Sequence, residues 1–182
     1  MILTISGLHG TGKSTIGKLI AQALDLKYYS TGDAFRDLAK EMNMNLEEFT
    51  RYVEKNPEID KKLDAKITEI AKRGNVVIDS QLSGYILKNI ADLSIHLTCP
   101  LEKRVKRIAE RDNKSYEKSL KETIMREMSE LERFKQLYNI DLSDESKINE
   151  THHIILSTEG LTIEEVLKRL LRIIKRKIKK NH

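Results

Sequence analysis

The sequence predicts an α/β fold in which a mostly parallel, five-stranded sheet carries helices on both faces. Five short strand-like runs alternate with segments of helical periodicity, which is typical of such a sheet. A glycine-rich segment joins the first of these runs directly to the first helical segment. No internal repeat or low-complexity linker divides the chain, and its 182 residues suit one domain. We therefore predict a single domain over residues 1–182.

The first strand-like run is β-branched, and the helical segment after the glycines repeats its apolar residues with a period near 3.6. The five predicted strands are Ile2–Ser6, Lys27–Ser30, Val76–Asp79, Leu93–Leu97 and His153–Ser157. Each is short enough to be a buried strand of a parallel sheet.

Between the second and third strands the chain is longer than a crossover needs. Asn45 and Glu48 form a capping pair for a short helix in this block. Asn56 as N-cap and Pro57 at the first helical position predict the start of a longer one. We expect residues 31–73 to form an insertion that can move as a unit.

The second half of the chain is mostly helical. Pro100 begins one helix after the fourth strand, and Ser115 caps a second, long helix that reaches about Tyr138. The polar segment 141–150 is predicted to be a loop. A capping box that begins at Thr162 predicts the last helix.

The composition limits the cellular compartments and the classes of ligand that suit this protein. The formal net charge of +5 suits anionic ligands such as nucleotides without implying nucleic acid. Cys99 is the single cysteine, which excludes an intramolecular disulfide and four-cysteine zinc sites. The chain has no apolar run long enough for a membrane span and no export signal, so we expect a soluble, cytoplasmic protein without a membrane partner. We interpret the basic segment Lys175–Lys180 as a solvated helix end rather than a nucleic-acid-binding or membrane-binding tail.

The glycine-rich segment Gly7–Ser14 reads Gly-x-x-x-x-Gly-Lys-Ser, which is the P-loop pattern. Its glycines let the backbone turn tightly and bring main-chain N–H groups close to a phosphate. Lys13 is positioned to reach the β- and γ-phosphates of a nucleoside triphosphate, and the Ser14 hydroxyl to bind Mg²⁺. The predicted ATP contacts are Gly7, Leu8, His9, Gly10, Thr11, Gly12, Lys13, Ser14 and Thr15.

Two further features follow the second and third strands. Thr31 and Arg36 could bind a second phosphate monoester, because arginine grips phosphate oxygens bidentately and a hydroxyl adds a neutral donor. An ordinary N-cap followed by a surface arginine explains that segment equally well. Asp79 ends the apolar third strand, where an acid in a P-loop protein holds the Mg²⁺ shell together with the loop hydroxyl of Ser14.

Arginines line one face of each helix in the predicted pair. Arg104, Arg107 and Arg111 share a face of the first helix. Arg126, Glu130 and Arg133 share a face of the second. Two such faces joined by a short loop would form a hinged lid that neutralises phosphate charge and excludes water. Solvated helices with surface Glu–Arg pairs, such as Glu122 with Arg126, are the alternative for part of this pattern.

Taken in order, these segments resemble the nucleoside monophosphate kinase family, and within it the archaeal cytidylate kinases. Besides the P-loop, the matching segments are Leu46–Phe49, Asn56–Asp60, Leu82–Gly84, Ala91–Leu93, Arg107–Arg111 and Leu137–Asp141. The resemblance implies a five-stranded P-loop NTPase fold, an ATP site with Mg²⁺, a monophosphate-binding insertion over 31–73 and a lid region over 104–141. It implies transfer of a phosphoryl group from ATP to CMP or dCMP.

The resemblance also assigns roles to individual residues. Arg107 and Arg111 would lie over the donor nucleotide. Lys13, Arg126 and Arg133 would act on the transferring phosphoryl group. The acceptor would be bound by Thr31, Arg36, Asp79, Gln81 and Glu130.

One departure from the family pattern concerns the acceptor. Relatives commonly have a Gly-Arg pair after the third strand, whereas this chain has Ser80 and Gln81. Replacing a charge-assisted contact by a neutral one could cost roughly 1.5–3 kcal/mol of acceptor binding.

Other readings remain open at this stage. Adenylate kinases usually carry Gly-Phe-Pro-Arg after the third strand, thymidylate kinases an Asp-Arg-Tyr-like run, and shikimate-type kinases Asp-x-Asp after the second, where Asp33 stands alone. A P-loop ATPase switch that acts with RNA or a protein partner is an alternative from another class. The apolar helix faces are accounted for by the core, so the sequence gives no information on the oligomeric state.

Overall fold

The computed structural model describes residues 1–180, and within that range five parallel strands form one sheet in the order β2-β3-β1-β4-β5. The strands are β1 Ile2–Ser6, β2 Lys27–Ser30, β3 Val76–Asp79, β4 Leu93–Thr98 and β5 Ile154–Ser157. The predicted five-stranded parallel sheet is therefore confirmed, and every strand boundary lies within one residue of its predicted position.

Helices connect the strands and pack on both faces of the sheet. Within the described residues they are α1 Lys13–Ala23, α2 Thr31–Glu41, α3 Leu46–Glu54, α4 Glu58–Lys72, α5 Ser83–Ile86, α6 Leu101–Asp112, α7 Tyr116–Tyr138, α8 Glu145–Thr151 and α9 Ile163–Lys180. Helices α1 and α9 bury apolar residues such as Ile20 and Leu170 against one face, and α4 packs Ile67 against the opposite face. No helix of the described range is long and apolar enough to cross a membrane.

The carboxyl ends of the three central strands meet at one edge. In the register, Ile5 of β1 and Ser30 of β2 both align with Asp79 of β3, and Ser6 aligns with His96 of β4. Strand β1 has β3 on one side and β4 on the other, so the chain reverses its direction of progress across the sheet there. Ligands of open parallel sheets bind outside the carboxyl ends at such a switch point, which is where the glycine-rich segment lies.

Helices α2, α3 and α4 have a small apolar core of their own, separate from the cores that cover the sheet. Its buried side chains are Phe35, Ala39, Phe49, Val53 and Leu63. The predicted insertion thus contains an internally packed unit.

Two local predictions are wrong. The segment predicted as loop contains α8, whose N-cap Asp144 accepts hydrogen bonds from the amides of Ser146 and Lys147. Asn56 does not cap α4, because its side-chain amide donates to the Tyr52 carbonyl at 2.7 Å and the helix begins after Pro57.

Candidate active site

The P-loop turns between β1 and α1 through glycines in the left-handed region. Gly10 has φ 78°, and a Cβ there would lie 2.6 Å from the Arg104 carbonyl oxygen, so only glycine fits. Gly12 has φ 93° and precedes α1 without a side-chain cap. A Cβ on Gly12 would meet nothing within 4 Å. The loop therefore presents open space and the positive end of a helix dipole, which is an anion site.

A cleft of about 520 Å³ runs from the P-loop along the carboxyl edge of the sheet. Most of the predicted site residues line it: His9, Gly10, Thr11, Gly12, Lys13, Ser14, Thr15, Thr31, Arg36, Asp79, Gln81, Arg107, Arg111, Arg126, Glu130 and Arg133. Gly7 and Leu8 do not line it. The Leu8 carbonyl accepts hydrogen bonds from Thr11 Oγ1 at 2.8 Å and Lys13 Nζ at 3.4 Å inside the loop.

The two predicted metal ligands stand in the same part of the cleft. Asp79 is buried and accepts a hydrogen bond at 2.7 Å from the Tyr28 hydroxyl on Oδ2. Burial, together with Asp79, raises the pKa of Tyr28, so the phenol stays a donor. No group of three or more His, Cys, Asp or Glu side chains suited to hold a metal occurs in the described part of the chain. One carboxylate and one hydroxyl fit Mg²⁺, which keeps waters and substrate phosphates as its other ligands.

Glu130 of α7 lies at the centre of a polar cluster that reaches the P-loop. Its Oε2 atom is 2.7 Å from His9 Nε2 and accepts a hydrogen bond from the Gln81 amide at 2.5 Å. Burial disfavours the charged form of Glu130, but the charges of its neighbours, His9, Arg126 and Arg133, outweigh that effect and lower its pKa. Gln81 thus contacts a carboxylate of α7.

The two arginines of α7 that line the cleft differ in their contacts. Arg133 is buried, donates from Nε to Asp60 Oδ2 at 2.7 Å and from Nη1 to Ser129 Oγ at 2.6 Å. Arg126 lies 3.7 Å from Glu130, and its Nε atom is buried without a hydrogen-bond partner among the described residues. Arg126 therefore makes no hydrogen bond among the described residues, whereas Arg133 is hydrogen-bonded to a protein carboxylate.

The arginine face predicted for α6 is divided among three roles, and the prediction is wrong for Arg104. Arg104 is buried away from the cleft, where it binds both carboxylate oxygens of Glu127 at 2.5 and 3.2 Å and the His9 carbonyl at 2.8 Å. Arg107 donates to the Thr158 carbonyl and hydroxyl, each at 2.9 Å. Arg111 lies at the edge of the cleft and pairs with its neighbour Asp112.

At the other end of the cleft, Ser30 caps α2 by accepting a hydrogen bond from the Asp33 amide at 3.1 Å. Thr31 follows it, and its hydroxyl is buried without a partner among the described residues. The Arg36 guanidinium pairs with the Asp33 carboxylate. A hydroxyl and a guanidinium are therefore brought to the same wall.

The structure also places residues in the cleft that the sequence reasoning missed. Asp60 and Asp64 of α4 line it together with Phe35 and Leu63, and Thr158 lines it from the loop after β5. The sequence contains one pattern from which the position of the two aspartates in the cleft could have been predicted. They share a helix face with Ile67, so acidic side chains interrupt an otherwise apolar stripe.

Comparison with known proteins identifies the family. The model of a family described as an AAA domain matches residues 3–157, and the chain is a member of that broad family. The cytidylate kinase of Methanocaldococcus jannaschii is 44% identical over 169 residues, which span 91% of this chain and 93% of that protein. The chain belongs to the cytidylate kinases. The cytidylate kinase of Staphylothermus marinus is 38% identical over 179 residues, 98% of this chain and 99% of that protein.

Solved structures agree with the cytidylate kinase fold at low sequence identity. An uncharacterized protein from Eubacterium ventriosum has a TM-score of 0.71 at 15% identity and covers 97% of this chain and 98% of its own. Shikimate kinase from Aquifex aeolicus has a TM-score of 0.58 at 18% identity, with 96% of each chain covered. At these identities the likeness concerns the fold alone. The family resemblance read from the sequence is confirmed.

Proposed function

We propose that this cytidylate kinase transfers the γ-phosphoryl group of ATP to CMP or dCMP, which gives ADP and CDP or dCDP. One observation carries the proposal. A single cleft connects the open P-loop to a second wall that contains Thr31, Arg36 and Arg126. The chain that forms this cleft spans nearly the full length of relatives that bear the name cytidylate kinase.

At the P-loop end, the main-chain amides between Gly10 and Thr15 bind the triphosphate, and Lys13 contacts the β- and γ-phosphates. Arg107 and Arg111 lie over the donor nucleotide, from α6 of the lid region 104–141. Arg107 also fixes the loop after β5 to the P-loop through Thr158 and the Gly10 carbonyl. These contacts hold ATP in one orientation.

At the other end, the insertion 31–73 binds the acceptor. The Thr31 hydroxyl, which has no partner among the described residues, and the Arg36 guanidinium bind its phosphate. Gln81 and Glu130, which contact each other, also bind the acceptor, Gln81 through neutral hydrogen bonds only. Two nucleotides held in this way meet with their phosphates facing each other, so that positioning supplies much of the rate.

Phosphoryl transfer needs charge stabilisation rather than covalent chemistry. Lys13 and Arg126 provide it directly, because both reach the cleft and Arg126 keeps an unused donor. Arg133 acts on the same group from a position fixed by Asp60.

Ser14 and Asp79 would hold Mg²⁺ at the phosphates. When bound, the ion would supply positive charge that offsets the negative charge of the phosphates. Tyr28 orients the Asp79 carboxylate for this task through its 2.7 Å hydrogen bond.

The test is a coupled assay of ADP release from ATP with CMP, dCMP, UMP, AMP and dTMP as acceptors. We expect release that depends on CMP or dCMP. Dependence on AMP alone would indicate an adenylate kinase, and hydrolysis indifferent to every monophosphate would indicate a P-loop switch.

We place the reaction in the cytoplasm, where the lone Cys99 stays reduced.

A further inference from the structure

Two aspartates of α4 are buried in the acceptor end of the cleft. Asp60 and Asp64 are one helical turn apart and are only 5% and 8% exposed. Both line the cleft, beside the aromatic ring of Phe35 and the side chain of Leu63. Burying a carboxylate is unfavourable unless a donor compensates it. The two buried carboxylates therefore need hydrogen-bond donors, which must come from the protein or from a bound ligand.

The protein itself supplies only part of that compensation. Asp60 is paired with Arg133 through one oxygen. Asp64 makes no ion pair among the described residues, and its Oδ2 atom accepts one hydrogen bond, from the Tyr138 hydroxyl at 2.6 Å. Burial accordingly raises the pKa of Asp64 to about 6, with Asp60 adding to that effect. The remaining oxygens of both side chains are available to a ligand.

The chemistry of that ligand is constrained. The Asp64 carboxylate has no paired cation among the described residues, so the wall around it does not suit the charged part of a nucleotide. The flat, apolar side chains next to it suit a nucleobase. Among base edges, the exocyclic amino group offers two N–H donors, and aspartate is a usual acceptor for the N4 amino group of cytosine.

We propose that Asp64, together with Asp60, determines acceptor specificity by accepting hydrogen bonds from the exocyclic amino group of the acceptor base. A keto oxygen at that position, as in uracil, would face a carboxylate and leave it without a donor. Sites built to bind a donor reject analogues that lack it, because their own polar groups are left unpaired. This inference rests on the proposed function and names the exocyclic amino group as the part of the acceptor base that the same site recognises.

The test compares Asp64→Asn with Glu69→Gln, an exposed acid on the same helix that serves as the control for loss of one negative charge. We expect kcat/KM for CMP to fall ten- to hundredfold in Asp64→Asn while that for UMP is unchanged or rises, because an amide can also donate to a keto oxygen. KM for ATP and the melting temperature should not fall. Equal losses for CMP and UMP, or an unchanged CMP/UMP ratio, would overturn the proposal.

A second measurement needs no variant. The monophosphate of the 4-deamino pyrimidine nucleoside lacks the amino group, so the wild-type chain should use it at least tenfold less well than CMP. In Asp64→Asn the preference for CMP over the 4-deamino analogue should largely disappear, because the amino group and the carboxylate contribute through the same contact. Equal use of CMP and the 4-deamino analogue by the wild-type chain would refute the inference. A wild-type chain that does not phosphorylate CMP at all would instead refute the proposed function.

Discussion

The two ends of the cleft are built in different ways. The P-loop end is made of backbone: glycines, main-chain amides and the first turn of α1, all within residues 7–15. The other end, where we propose that the acceptor binds, is made of side chains from α2, α4 and α7. Asp60 of α4 and Arg133 of α7 form a buried ion pair there. Backbone sites depend on a short contiguous segment, whereas side-chain sites depend on packing between distant ones.

Because of this difference, we expect substitutions at the two ends to have different effects. A change of the Lys13 side chain should remove catalysis and leave folding intact, because its one hydrogen bond among the described residues lies within the loop. A change at the acceptor end should alter selectivity or stability as well, because its charged groups are buried and pair with one another.

The sharpest test of this contrast is Lys13→Ala. We expect kcat to fall by roughly 10³-fold or more, since the cation on the β- and γ-phosphates is lost, with little change in melting temperature. Lys18→Ala, on the exposed side of the same helix, should keep near wild-type turnover. Near wild-type kcat in the Lys13 variant would refute its proposed role.

The next effect separates the two arginines of α7. Arg126→Ala should lower kcat roughly 10²–10³-fold at nearly constant stability, because its free donor is offered to the ligand. Arg133→Ala should lower the free energy of unfolding by roughly 3–5 kcal/mol, because it leaves Asp60 buried without its partner. Steady-state kinetics give kcat of each variant, and denaturant unfolding gives its free energy of unfolding. The comparison fails if both variants lose activity and stability alike.

A smaller change is expected at Gln81, where the family resemblance of the sequence implies an arginine in other members. Gln81→Arg should lower KM for CMP about tenfold at similar kcat, because it restores a charge-assisted contact near the acceptor. Gln136→Arg adds the same charge on the exposed face of α7 and should leave KM unchanged. A rise in KM for CMP would show that Gln81 is needed for its contact with Glu130 instead.

The smallest effect concerns stability against pH. The pKa of Asp64 is raised to about 6 in the folded chain, above the value near 3.8 of an unfolded aspartate. The stability contributed by its protonated form is therefore complete below pH 4 and is lost as pH rises through 6. Asp64→Asn should exceed the wild type in free energy of unfolding by roughly 1–3 kcal/mol at pH 8 and by much less at pH 4. Parallel curves for the two proteins would contradict this assignment.

The sequence predicted the P-loop end almost completely, for a physical reason. A glycine-lysine-serine pattern between a strand and a helix is contiguous in the chain, so it can be recognised without knowing the distant residues that pack against it. The sheet was equally predictable, because its central strands β1, β3 and β4 are short, buried and mostly apolar runs. Helix α8 was missed because none of its residues is buried, which leaves no apolar periodicity to detect.

The acceptor end could be predicted only in part. Thr31 and Arg36 were found because they follow a strand, but Asp60 and Asp64 look like ordinary solvated acids until the helix that carries them packs against α7. Arg104 shows the opposite error. It shares a helical spacing with Arg107 and Arg111, yet the partner Glu127 lies 23 positions away and turns it into the protein interior.

The Arg104–Glu127 pair has a consequence for the working conditions of the enzyme. It joins α6, α7 and the P-loop through the His9 amide and carbonyl, and both side chains are shielded from water. Mobile ions screen exposed charges within about 10 Å at 0.1 M but reach buried pairs far less. The frame around the ATP end should therefore keep its shape at ionic strengths that weaken the surface pairs of the same helices.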